Sequence, residues 1–363
     1  MLGRSVQDYR LSRRVRLTTV SAAFYSTSLT TVADWSNNLT CNLTWAMFRI
    51  LFLGVIDVAT SSASPAIAPR PTLSRLAQRP WRAFLLMYGI QGISFTTLAY
   101  FFYHVLRLPN ESGNLRATST VALFTVSGVW GYLFVPFLLR LPYGKRSFRG
   151  YLDDIRLTRV RPFLPLVVLT VSCVLILVVC QGAGSLVYRV VEGKPLSSEF
   201  IRQVFNLATV LPPHSTILYG QMFSSLEEVA FRGVLLTMFL RRYSPRMAVV
   251  YSALVFGGLH LATLAMGRPL ILVLAQVIWA FLYGLFYGYI FLKSGSLLPP
   301  MIIHWLSNVF QAQLTQYWSA ASVGMQAVFG VVFGYGLAAV LSIIWVRFFA
   351  PRWLAPTEPE RTP

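Results

Sequence analysis

Six residues of this 363-residue chain are of types that do chemistry, and each stands inside an apolar run. Glu227, Glu228 and Arg232 lie in EEVAFR, His260 closes FGGLH, and His304 and Asn308 bracket HWLSN. A charge at the centre of a membrane helix costs about 2.5–3.5 kcal/mol on insertion scales, so three on one helix cost roughly 7–10 kcal/mol if additive. Such groups must face the protein interior or water. Glu228 and Arg232 stand at i and i+4, on one helical face, and can pair. Glu227 is turned about 100° from Glu228 and is the carboxylate left free to face a cavity. A charge-pairing device accounts for Glu228 and Arg232 but gives Glu227 no purpose.

The other two clusters are weaker alone. Gly257 and Gly258 let a neighbouring helix approach closely, Phe256 stacks one turn below His260, and a single histidine in a bundle is often a hydrogen-bonded core residue. His304 and Asn308 share a face at i, i+4 behind Pro299 and Pro300, which mark a helix start. Two neutral side chains on one face can aim hydrogen bonds at a developing oxyanion, or simply join helices. Together the clusters say more. A carboxylate with a histidine partner can deprotonate water, while a second imidazole and an amide polarise a peptide carbonyl. That combination is hydrolysis inside a membrane. Glu227, His260 and His304 could also supply three ligands to Zn²⁺ with water in the fourth position. There is no HExxH, and the metal-free alternative is a glutamate protease.

The elements that must position these residues are membrane helices. Of the residues, 55% are hydrophobic and 12% charged, with mean hydropathy +0.60, against about 25% charge in a soluble domain. The expected fold is an all-α, polytopic transmembrane bundle of about eight spans: 81–106, 117–139, 163–188, 214–240, 246–266, 270–292, 299–318 and 322–349. A stretch near 45–59 is short, carries Arg49 and Asp57, and is left out. The net charge of +19 does not indicate nucleic acid, because the basic residues sit between apolar spans rather than along one soluble face. Cys41, Cys173 and Cys180 form no CxxC pair and no disulfide framework.

Residues 1–75 form a different kind of sequence. Arg4, Arg10, Arg13, Arg14 and Arg16 with a single acid, Asp8, over the first 31 residues read as an organellar transit peptide, or as a basic tail or a start placed too far upstream. Asn38, Asn42 and Asn110 open sequons of a kind that is common by chance. Residues 60–80 are a Ser-, Pro- and Arg-rich linker into the membrane domain at 76–350, and 351–363 is a short polar tail.

The order EExxxR, FxxxH, HxxxN over about eight spans resembles the CPBP family of intramembrane proteases, with its CAAX prenyl endopeptidases and its abortive-infection, bacteriocin-immunity and lysostaphin-resistance-like relatives. The similarity covers about residues 150–315, and LKSGSLLPPMIIH, from Leu292 to His304, resembles the family's approach to its last motif. The resemblance implies Glu227 as general base with His260 as its partner, His304 and Asn308 as the oxyanion site, and Glu228 and Arg232 in support. It also carries a metalloprotease label. It implies an endopeptidase acting near the C-terminus of membrane-associated substrates, including prenylated CAAX proteins. One departure sets the chain nearer the bacterial-like branch: His260 is followed by Leu261 and Ala262, where eukaryotic CAAX endopeptidases usually show further histidines. A transporter, which would show inverted repeats and broken helices, and a non-catalytic scaffold that kept the motifs are the competing classes.

Charge between the spans orients the bundle. Alternate connections carry eighteen and six Lys/Arg residues, and cytoplasmic connections hold the excess. Both ends of the bundle are therefore expected on the cytoplasmic side of the endoplasmic reticulum or plasma membrane, or its organellar equivalent. Reporters placed in the 140–162 connection and after Arg361 are expected on one side of the membrane, and a reporter beside Glu192 on the other. Agreement between the 140–162 and Glu192 reporters would remove the span between them.

Overall fold

Long apolar runs punctuated by Pro, Gly and Ser have one way to satisfy their backbone in a bilayer, which is to form helices. The computed structural model describes residues 76–101, 105, 125–144, 147–206 and 221–349, and no strand occurs among them. The 1–75 segment with its expected transit peptide, all three sequons and the 351–363 tail lie outside the described residues.

The start and stop of each helix follow local chemistry. Helix α1 (Pro80–Tyr100) opens on proline, and α2 is Thr125–Leu138. Helix α3 (Phe148–Asp154) is capped by Ser147, whose hydroxyl accepts from the Gly150 amide. Helix α4 is Phe163–Val191, and α5 (Ser198–Val204) is capped by Ser197. Helix α6 runs through Val229–Leu236 in π geometry and continues over Thr237–Phe239. Helix α7 (Pro245–Leu259) is capped by Ser244 and tightens into a 3-10 turn, His260–Met266, that ends on left-handed Gly267. Helix α8 (Leu270–Ser294) ends on left-handed Gly295, α9 is Leu298–Leu314, and α10 is Val323–Phe348.

Among the described residues, four helices are long and apolar enough to cross a membrane: α4, α7 extended to Leu264, α8 and α10. They coincide with the expected spans 163–188, 246–266, 270–292 and 322–349. Of the other four expected spans, 81–106, 117–139 and 214–240 extend beyond the described residues, and α9, at 299–318, has 17 residues.

Helices α7 and α8 approach backbone to backbone. A Cβ on Gly257 would stand 2.9 Å from the Val277 carbonyl and 3.1 Å from the Phe281 amide, and one on Gly284 would stand 2.8 Å from Ala253 Cα. Gly257 thus acts as expected, whereas Gly258 does not, because nothing lies within 4 Å of its Cβ position. Wide π turns run through Val129–Phe134 in α2, Val229–Leu236 in α6 and Gly330–Gly336 in α10. A wide turn leaves carbonyls underused, and neighbours take them up. Ser252 of α7 donates to the Phe231 carbonyl at 3.0 Å, and Gln181 of α4 donates to the Gly334 carbonyl at 2.7 Å. At the start of α9, the Leu297 amide donates to the carbonyl of Arg156, a residue at φ +61° whose guanidinium lies 4.9 Å over the Phe291 ring. Burial, followed by repulsion from Arg159, holds the Arg156 guanidinium below the usual arginine range.

Gly257→Ala is expected to lower thermal stability in detergent by about 1–3 kcal/mol, the usual cost of overpacking, because it meets backbone rather than a flexible side chain. Gly258→Ala should unfold at or slightly above the wild-type temperature. Equal behaviour of the two variants would contradict the α7–α8 contact.

Candidate active site

The site begins with one carboxylate. Glu228 is 0% exposed at the start of the π turn of α6, and Arg232, also 0% exposed, follows on the same helix. Arg232 Nη1 donates to Glu228 Oε1 at 2.9 Å, and its Nη2 donates to the Gly284 carbonyl of α8 at 3.1 Å. The same Oε1 meets Nδ1 of His304 on α9 at 2.8 Å. An ionised carboxylate only accepts hydrogen bonds, so Nδ1 of His304 carries a proton and Nε2 is the free ring nitrogen. Glu228 Oε2 and Arg232 Nε are buried without a hydrogen-bond partner among the described residues.

Aromatic rings enclose this cluster. The Arg232 guanidinium lies 4.6 Å from the Phe256 ring and 5.3 Å from the Tyr287 ring, which suits a poorly hydrated planar cation. Tyr287 stacks on His304 with 5.2 Å between centroids. Ser307 donates to the His304 carbonyl at 2.8 Å, so the Tyr287 hydroxyl donates to Ser307 Oγ across 3.1 Å. Phe256 also contacts both histidines edge-on, His260 at 5.2 Å and His304 at 6.0 Å.

The remaining expected residues are half-buried. His260 begins the 3-10 turn after α7, where its Nδ1 pairs with the Phe256 carbonyl at 2.9 Å. A carbonyl only accepts, so Nε2 of His260 is also free. Asn308 Nδ2 donates to Ser224 Oγ at 3.0 Å, one turn before Glu228. Glu227 makes no hydrogen bond or ion pair among the described residues.

The structure therefore joins Glu228, Arg232 and His304 by direct bonds and gathers His260 to them around Phe256. Asn308 is tied to the turn that leads into α6, and Glu227 is bonded to none of them. The i, i+4 pairing of Glu228 with Arg232 matches the sequence reading. The attachment of His304 to Glu228 was not visible there, because 76 residues separate them. Tyr287, Ser307 and Ser224 also escaped sequence reading; the Tyr283–Tyr287 spacing on one apolar helix was their only signal. Among the described residues no three His, Cys, Asp or Glu side chains are grouped to hold a metal ion. Glu227, His260 and His304 are thus not preassembled as the zinc set considered from sequence.

This is an all-helical membrane architecture with a buried, charged, imidazole-bearing centre. Residues 212–310 match the family model described as Type II CAAX prenyl endopeptidase Rce1-like, a segment holding all three motifs. That match supports the CPBP/CAAX protease family for this chain and, in general terms, an intramembrane CAAX-type endopeptidase. It covers only the later part of the 150–315 region expected from sequence. No curated protein and no solved structure matches the chain.

Removing one member of a buried ion pair strands the other and costs about 3–5 kcal/mol. Glu228→Ala and Arg232→Ala are each expected to lose that much stability, measured by thermal unfolding in detergent, and Glu227→Ala to unfold within about 1 kcal/mol of wild type. An unfolding profile for Glu227→Ala as impaired as that of Glu228→Ala would contradict this division.

Proposed function

We propose that the protein hydrolyses a peptide bond near the C-terminus of membrane-associated substrates, prenylated CAAX-type proteins among them, by direct activation of water. The observation that carries this is the contrast between two adjacent carboxylates, Glu228 bound on one oxygen by Arg232 and His304 and Glu227 with no hydrogen bond or ion pair among the described residues. Glu228 is fully buried and already pairs two side chains, whereas Glu227 is half-buried and free to meet water. Glu227 can take a proton from water.

In the proposed step, Glu227 accepts that proton, assisted by His260 through its free Nε2, as the water oxygen attacks the scissile carbonyl. Negative charge gathers on the carbonyl oxygen, where His304 and Asn308 stabilise it. Since Nδ1 of His304 is already a donor to Glu228, Nε2 donates to an oxyanion only when the ring is an imidazolium. Glu228 provides the counter-charge for that form. Asn308 turns its amide from Ser224 to the substrate. The proton held by Glu227 then passes to the leaving amine as the C–N bond breaks. A Lewis acid would polarise the same carbonyl if a metal bound here, but Glu227, His260 and His304 are not grouped as its ligands.

Purified enzyme in detergent, given a farnesylated C-terminal peptide and its unprenylated twin, should cleave the prenylated one, and Glu227→Gln should abolish turnover while folding normally. Enzyme stripped by stringent chelation should keep most of its activity. Complete loss on chelation, with recovery on Zn²⁺ addition and one ion bound per chain, would replace the glutamate mechanism with a zinc one.

A further inference from the structure

The residues assigned so far come from α6 to α9, within the matched segment 212–310. Helices α1 and α2 lie outside it, yet they bring two phenols to the same place. The Tyr88 ring of α1 packs 5.6 Å from Phe231, one turn after Glu227, and 6.3 Å from the Tyr132 ring of α2. Phe231 packs 4.8 Å from Phe256, which bears His260 and His304. Tyr88 therefore stands at the Glu227 edge of the aromatic ring set that encloses the site. Both phenols interact electrostatically with the Glu227 carboxylate, and Tyr88 interacts with Glu228 and Arg232 as well.

The hydroxyl of Tyr88 is buried and has no hydrogen-bond partner among the described residues. Leaving such a group unsatisfied costs about 1–3 kcal/mol, and orphaned buried polar atoms mark places where water or a ligand binds. Glu227 likewise has no bond to protein among the described residues. Two polar groups from different helices that interact without touching are suited to share a water between them. The position of Tyr88 is set by its own helix. Gln91, three residues on, donates to the Ser127 carbonyl of α2 at 3.1 Å, and a Cβ on Gly131 would overlap the Gln91 side-chain oxygen. That wedge fixes the α1–α2 separation.

We propose that Tyr88 is a catalytic residue whose hydroxyl oxygen holds the attacking water against Glu227. This rests on the endopeptidase reading above. The water gives one proton to Glu227 and donates its other hydrogen to Tyr88 Oη, which leaves an oxygen lone pair for the scissile carbonyl carbon. A C–O bond forms and the carbonyl π electrons move to oxygen. Tyr88 keeps its own proton throughout, so the balance closes with Glu227 carrying the proton to the leaving nitrogen.

Tyr88→Phe removes the oxygen and keeps the ring against Phe231. Steady-state cleavage of the farnesylated peptide should show kcat lower by about 10–100-fold, a modest share of what acid–base groups contribute. KM should stay within about two-fold and the unfolding temperature unchanged, because uniform binding is untouched. The solvent deuterium isotope effect on kcat should rise, since proton transfer from a poorly held water becomes more rate-limiting. Wild-type kcat in Tyr88→Phe overturns the proposal. So does a kcat loss matched by lower stability and an unchanged isotope effect, which marks a packing role. If wild type and Glu227→Gln are equally inactive on every peptide, the endopeptidase reading itself fails, and the Tyr88 assignment falls with it.

Discussion

An ionised carboxylate cannot sit in a low-dielectric interior without partners, and the rest of this molecule is arranged around meeting that demand for Glu228. The desolvation penalty for a buried ion is several kcal/mol, and it is recovered only with good geometry. Glu228 finds Arg232 on its own helix and His304 on α9, both at one oxygen. Arg232 in turn reaches the Gly284 carbonyl of α8. One charge thus ties three helices together, and the close approach of Ala253 to Gly284 brings α7 into the same knot.

In the proposed mechanism that knot separates support from chemistry. The side chains bound to one another, Glu228, Arg232 and His304, are buried, while Glu227, His260 and Asn308 are half-buried. A hydrolase in a bilayer needs both kinds of residue: a rigid charged base that water cannot reach, and beside it a face that water can. Placing two glutamates next to each other on one helix gives each environment its own carboxylate, since adjacent residues point about 100° apart.

Much of this was legible in the chain, and the failures have causes. The pairing of Glu228 with Arg232 follows from spacing alone. The helices that qualify as spans were found because each is an unbroken apolar run. The bond from His304 to Glu228, and the approach of Tyr88 to Phe231, are tertiary facts between distant positions. No periodicity encodes them. Gly257 and Gly258 show the same limit at closer range: two identical neighbours, of which only the first faces α8, and a dipeptide cannot say which.

The wide turn of α6 bears on how strictly the site's spacing must be kept. A π turn holds one residue more than an α turn, so deleting any one residue in Val229–Leu236 would let the helix close to α geometry. Because that turn absorbs its extra residue, closing it would leave the helix on either side nearly in its present orientation, whereas a deletion in α geometry would swing everything before it by about 100°. The cost of closing it falls on the carbonyls instead: that of Phe231 would return to its own helix and leave the Ser252 hydroxyl with nothing to bind. The segment is therefore a slack of one residue, given up only together with that link from α7 to α6.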